Sequence, residues 1–178
     1  MSEILIVYST VDGHTKKICE RLRKTLEHDD NQVSTVSLEQ AIQMDLEPFD
    51  KLVLGASIRY GKYRPAVLHF IEQNLELLNR KASAFFSVNV VARKTEKNRP
   101  ETNPYFKKLF KQTDWKPAKA DVFAGRIDYP NYTFLDRQMI RLIMKLTHGP
   151  TDTAASFEFT DWDRVEHFGK AIDRLQTD

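Results

Sequence analysis

The stretch Ile4-Leu5-Ile6-Val7-Tyr8-Ser9-Thr10-Val11-Asp12-Gly13-His14-Thr15-Lys16-Lys17-Ile18 decides how this chain is read. An unbroken apolar run at 4–8 suits a strand covered on both faces, and the four-residue spacing of Ile18, Leu22 and Leu26 suits a helix after it. Between them lies a turn containing Ser9, Thr10, Val11, Asp12, Gly13, His14 and Thr15. A helix N-terminus carries free backbone N–H groups and a partial positive charge, so it is a ready anion site. The hydroxyls of Ser9, Thr10 and Thr15 add donors there, and Gly13 lets the backbone come close to a ligand. No Gly-Lys-Ser/Thr follows, which excludes a Walker loop, and one glycine is too few for a dinucleotide fingerprint. A hydroxyl-lined loop of this kind suits a terminal phosphate monoester.

The rest of the chain repeats the strand-then-helix rhythm. Segments 32–38, 50–57, 82–89 and 121–125 read as further strands, with 32–38 alternating as an edge strand does. Pro65 starts a helix carried through Leu68, Ile71, Leu75 and Leu78, and Asn103-Pro104 starts a short one. Thr160-Asp161-Trp162-Asp163 reads as a capping box opening a last helix, and Phe157-Glu158-Phe159 as a small strand before it. Alternation of this kind predicts an α/β fold, a doubly wound parallel five-stranded sheet in one domain spanning 1–178. Ligands in such sheets sit at the carboxyl ends of the strands.

Three strand ends then fall together. The first carries the phosphate loop. The third carries Ala56-Ser57-Ile58-Arg59-Tyr60-Gly61, where an aromatic between Arg and Gly can lie against a planar ring. The fourth carries Ser87-Val88-Asn89-Val90, which offers an amide side chain and backbone groups to a heteroaromatic edge. Hydroxyls, an aromatic plane and amides in register fit FMN better than a ligand without phosphate.

A long insertion, 127–150, interrupts the region of the fifth strand. Its 134–148 portion reads as an amphipathic helix. Leu135, Met139, Leu142, Ile143 and Leu146 share one arc, Arg137, Arg141, Lys145 and His148 the opposite one, and Ile140 and Met144 widen the apolar surface. Such a helix suits a membrane interface, or the entrance to an apolar substrate site with cationic grips. Residues 89–150 hold thirteen Lys/Arg against six Asp/Glu, a net +7, while the remainder sums to −5. The basic segment points to an anionic partner, and Arg93 and Lys94 stand beside the presumed ring as candidate grips. Nucleic acid is disfavoured, because the basic run lacks interleaved aromatics and no recognition module is present. The single cysteine, Cys19, excludes an internal disulfide or thiolate cluster, and the five histidines show no metal spacing. The apolar run at 4–8 is too short for a signal peptide or a membrane span. A cytosolic location is expected.

The strand-end loops resemble those of flavodoxins, which hold FMN in this way. Five stretches go further: Tyr8-Ser-Thr-Val-Asp-Gly-His-Thr15, Gly55-Ala-Ser-Ile-Arg-Tyr-Gly61, Phe86-Ser-Val-Asn-Val-Val-Ala-Arg-Lys94, Met139-Ile-Arg-Leu-Ile-Met-Lys145, and Thr151-Asp-Thr153 with Thr160-Asp-Trp162. Together they resemble the menaquinone-dependent protoporphyrinogen oxidase family of bacterial haem biosynthesis, over nearly the whole chain. The resemblance implies FMN as cofactor and six-electron oxidation of protoporphyrinogen IX, with menaquinone or ubiquinone as acceptor. It also implies peripheral association with the cytoplasmic side of the inner membrane. Val11 and His14 depart from the loop pattern without removing a hydroxyl or the glycine. No acid–base pair is identified. Arg59, Tyr60 and Arg93 are candidates for substrate orientation only. Two alternatives remain at this point: an electron carrier of flavodoxin type, disfavoured by a pI near 8.6, and a soluble FMN quinone reductase.

Overall fold

The computed structural model describes residues 1–28 and 30–176. Strands β1 (Glu3–Ser9), β2 (Gln32–Ser37), β3 (Lys51–Ser57), β4 (Ala82–Asn89) and β5 (Lys119–Ala124) form one sheet in the order β2-β1-β3-β4-β5. All four pairings are parallel. Adjacent side chains of a strand point to opposite faces, so the unbroken apolar runs feed two cores. Leu5, Val7, Leu52, Leu54 and Phe85 face one side. Ile4, Ile6, Val53, Ala84 and Phe86 face the other. The order reverses between β1 and β3, which places the crevice for a ligand at their carboxyl ends.

Helices α1 (His14–Glu27) and α7 (Trp162–Asp173) cover the second face through Ile18, Leu22, Phe168 and Ile172. The first face is covered by α2 (Leu38–Ala41), α3 (Pro65–Gln73), α4 (Leu75–Arg80) and α5 (Pro104–Phe110), with Trp115 filling its edge. Gly55 has no room for a side chain, because a Cβ there would sit 2.1 Å from Phe86 Cζ. That ring packs on Phe123 and Phe168.

Two local expectations are corrected. The apolar spacing from Leu68 to Leu78 continues without a break, yet the helix stops at Asn74, whose amide donates to Phe70 O at 2.9 Å. The residues 160–163 form no capping box. Asp161 alone caps α7, accepting from Arg164 N at 3.1 Å, while the Thr160 hydroxyl donates to Ala124 O at 2.7 Å.

After β5 the chain makes a small antiparallel ribbon of β6 (Arg126–Asp128) and β7 (Ser156–Glu158), with Ile127 opposite Phe157. Helix α6 (Phe134–Leu146) is carried between these two strands. The chain rejoins the ribbon at Ser156, where β7 begins. No described helix is long and apolar enough to cross a membrane.

Candidate functional site

The turn from β1 into α1 forms the floor of the first cavity. Gly13, at φ 83°, is the N-cap of α1, and no side chain caps the helix. The Thr10 hydroxyl accepts from Gly13 N at 3.0 Å, which holds the turn. Thr10, Val11, Asp12, His14 and Thr15 all line the cavity. Thr15 Oγ1 and His14 Nδ1 are buried there without a hydrogen-bond partner among the described residues. Buried polar atoms are almost always satisfied, so the orphaned Thr15 hydroxyl at an uncapped helix start fits an anionic group of a ligand. Lys17, one turn along α1, and Arg126 add positive charge to the same cavity.

His14 is held in one tautomer. Its Nε2 lies 2.7 Å from Thr160 Oγ1, whose single proton goes to Ala124 O, so the ring nitrogen is the donor. Nδ1 then carries the lone pair of the neutral ring. Burial holds this imidazole below its ordinary 6.5, Lys17 and Arg126 push the same way, and Glu158 opposes them.

The third strand end turns at Tyr60 and Gly61, with φ of 50° and 75°. Arg59 and Lys62 exchange backbone hydrogen bonds across them at 3.0 and 3.3 Å, the arrangement of a type I′ turn. A tyrosine in the left-handed region is strained, and its ring stands 45% exposed above a second, adjoining cavity. Arg59 grips both carboxylate oxygens of Asp12 at 2.6 and 2.5 Å and reaches Asp136 of α6 at 3.1 Å. Its guanidinium lies over the rings of Tyr60 and Tyr132, 5.2 and 5.1 Å from their centroids. The Tyr60 hydroxyl also donates to Asp136. The phosphate loop, the aromatic turn and α6 are thereby joined through one arginine.

At the fourth strand end Asn89 lines both cavities, with its amide engaged inside the protein. Its Oδ1 accepts from Ala92 N and Asn103 Nδ2, both at 3.1 Å, and its Nδ2 donates to Ser87 Oγ at 3.0 Å. The amide shapes the turn Val90–Arg93, and Val90 and Val91 line the second cavity. Ser9, Ala56 and Ser87 are buried behind the cavities and support the loops. Ser57, Ile58, Val88 and Val90 reach the first cavity, and Gly61 the second.

Helix α6 roofs the second cavity with Ile140, Ile143 and Met144. Met144 is its buried side chain, packed with Ile127 and Tyr129. The stripe anticipated from periodicity faces outward: Leu135 is 75%, Met139 50%, Leu142 52% and Leu146 72% exposed. Ile140 and Met144, the residues that widen the stripe, are the ones that dock. Two of the expected anion grips are engaged elsewhere. Arg93 donates to Val90 O and to Thr147 O and Oγ1, at 3.0 to 3.1 Å, tying the turn after β4 to the end of α6. Arg137 donates to the carbonyls of Tyr129 and Tyr132 at 3.1 and 3.3 Å. Arg141 and Lys145 are exposed, and Lys94 is half-buried.

Several residues of the site were not anticipated from sequence. Lys17 follows Gly13 by one helical turn and was within reach of sequence reasoning. Tyr105, Arg126, Tyr132 and Thr160 arrive from distant segments, and no local pattern marks them.

A flavodoxin domain family model matches residues 5–154. The chain is 41% identical to protoporphyrinogen IX dehydrogenase (quinone) of Escherichia coli strain K12 over 171 residues, covering 96% of this chain and 94% of that one. It is 42% identical over 166 residues to the protein of the same name from Leishmania major, covering 92% and 71%. Oxidised flavodoxin 1 from Bacillus cereus superposes with a TM-score of 0.58 at 14% identity, covering 98% of this chain and all of the other. That likeness establishes the architecture. With the domain model covering most of the chain and the relatives matching it nearly end to end, the chain belongs to the flavodoxin domain family and, within it, to the family of protoporphyrinogen IX dehydrogenases (quinone).

Proposed function

We propose that this chain binds FMN and oxidises protoporphyrinogen IX to protoporphyrin IX, delivering the electrons to a respiratory quinone, menaquinone or ubiquinone, at the cytoplasmic surface of the inner membrane. The observation that carries the reading is a pair of adjoining cavities. One has a buried, unpartnered threonine hydroxyl at an uncapped helix start, and the other is an aromatic and apolar slot roofed by α6. A phosphate at one end of a ligand and a planar ring at the other match that pair. When bound, FMN supplies two-electron redox chemistry, and three such cycles account for six electrons and three quinones reduced.

The chain's own residues bind, orient and exclude water. Thr15, the N–H groups at the start of α1 and Lys17 would hold the phosphate, with the neutral His14 ring packed beside them. Asp12 would repel it, but Arg59 pairs with both of its oxygens, so the loop presents little net negative charge. Tyr60 would lie against the ring, and the backbone at 89–91 would border its edge. Ile140, Ile143 and Met144 keep water from the slot. The exposed stripe on the far side of α6 suits an interfacial helix, with Arg141 and Lys145 toward anionic headgroups and a quinone tail arriving from the lipid.

The test is anaerobic mixing of the FMN-loaded protein with protoporphyrinogen IX and a short-chain menaquinone or ubiquinone, following porphyrin fluorescence. Porphyrin formation that needs both FMN and quinone supports the reading. If no porphyrin forms while dithionite-reduced protein still reduces quinone, the substrate assignment fails and a flavin quinone reductase remains.

A further inference from the structure

Between the 58–65 loop and α5, with no residue of α6 in its lining, lies a further groove of about 310 Å³. Its walls are Tyr63, Pro65, Leu68 and Leu109, and Lys62, Arg64 and Lys108 stand around it. The volume is at the lower end of the range for small-molecule sites, roughly 300–1,000 Å³. Three features set it apart from an incidental surface depression.

The first is continuity with the cofactor slot. Ile58, Gly61 and Tyr105 line both, so the two cavities share a wall. The second is charge. Arg64 pairs with Glu39, but Lys62 and Lys108 are exposed and make no ion pair or side-chain hydrogen bond among the described residues. Two free ammonium groups beside an apolar wall complement an apolar ring system carrying two carboxylates. The third is support from beneath. The Tyr63 hydroxyl donates to Ser87 Oγ at 2.7 Å, and Ser87 also accepts from Asn89, which in turn holds Asn103 at the start of α5. The groove wall, the end of β4 and α5 are thus fixed to one another.

The alternative approach, along α6, is less suited to the substrate. Arg93 and Arg137 are engaged with carbonyls, and the helix turns a lipid-like stripe outward.

We propose that this groove is the porphyrinogen site. Lys62 and Lys108 pair with the two propionates of the tetrapyrrole, the apolar wall takes the adjoining pyrroles, and the shared wall brings the macrocycle to the cofactor slot. The proposal rests on the function proposed above. It divides the molecule, with tetrapyrrole entering on the α5 side and quinone on the α6 side.

The test uses the full-length, FMN-loaded protein and two probes, protoporphyrin IX and its dimethyl ester, with binding followed by fluorescence anisotropy. Lys62→Glu/Lys108→Glu is expected to weaken protoporphyrin IX binding by about tenfold or more, as expected for loss of two charge-assisted contacts. It should also raise KM for protoporphyrinogen IX with little change in kcat. FMN affinity and binding of the dimethyl ester should be unchanged, which also shows that the fold is intact. Arg141→Glu/Lys145→Glu should leave porphyrin binding as it was. The groove is overturned if the lysine pair has no effect while the α6 pair weakens binding. If porphyrin binds neither the parent protein nor any variant, and no porphyrin forms in the coupled assay, the proposed function falls with it.

Discussion

Met144→Ala should release α6 without unfolding the sheet. Met144 is 4% exposed and is the helix's one fully buried side chain, packed with Ile127 and Tyr129. Methionine-to-alanine changes in cores cost about 2–5 kcal/mol. The lower half applies here, about 2–3 kcal/mol, because half-buried Ile140 keeps part of the contact. If α6 opens as a local unit, that loss multiplies its open population by about 30- to 150-fold. Hydrogen exchange read by mass spectrometry should show that fall in protection over 134–147. Peptides from β1, β3 and β4 should keep theirs, because their cores do not touch Met144. Loss spread evenly over the central strands, or unchanged protection in α6, would refute the reasoning.

Two further outcomes are expected. Leu142→Asp/Leu146→Asp should cut cosedimentation with phosphatidylglycerol-containing vesicles by at least tenfold, since each leucine that enters the lipid contributes roughly 1.5–3 kcal/mol. Thermal stability should barely change, both side chains being exposed; unchanged sedimentation would remove the membrane role of the stripe. The second concerns His14, which is buried neutral with its pKa below 6.5. The unfolded chain then takes up a proton at higher pH than the folded one. Its contribution to stability is complete above about pH 6.5 and is lost as pH falls through that value toward the folded one. His14→Gln should therefore flatten the acid limb of the urea midpoint between pH 5 and 7 in the cofactor-free protein, and an identical limb would exclude His14 as its source.

The central sheet was legible because β1, β3 and β4 are covered on both faces, and such strands are written as unbroken apolar runs. The phosphate loop was legible for a related reason. A strand, a turn with Gly13 and a helix are all local, and each leaves a composition mark. The ribbon was only half visible, since Arg126-Ile127-Asp128 carries a single apolar residue and takes its form from its partner Phe157. Periodicity located the apolar arc of α6 but not its direction. An amphipathic pattern says which residues share a face, while the docking partner decides which face turns inward. The same limit hid the roles of Arg93, Arg137 and Asn89. A long or polar side chain near a ligand site and one that ties two loops together have the same sequence, and only the position of distant carbonyls separates them. His14 and Thr160 lie 146 positions apart, beyond any local signal.

The β6–β7 ribbon has a consequence for how such a chain could arise. The excursion carrying α6 leaves and returns through antiparallel neighbours, fastened at its base by Ser156 Oγ donating to Asp128 Oδ1 at 2.6 Å. Its two ends are therefore fixed side by side whatever lies between them. Because closure entropy grows only logarithmically, doubling such a segment costs about 0.6 kcal/mol. The parallel sheet neither gains nor loses a pairing in the process. A short-looped ancestor could acquire a helix of this kind in one genetic step and refine it afterwards, with its cofactor cradle untouched. By the same logic, grafting 129–155 between the matching positions of a plain relative is a tractable way to move this surface from one protein to another.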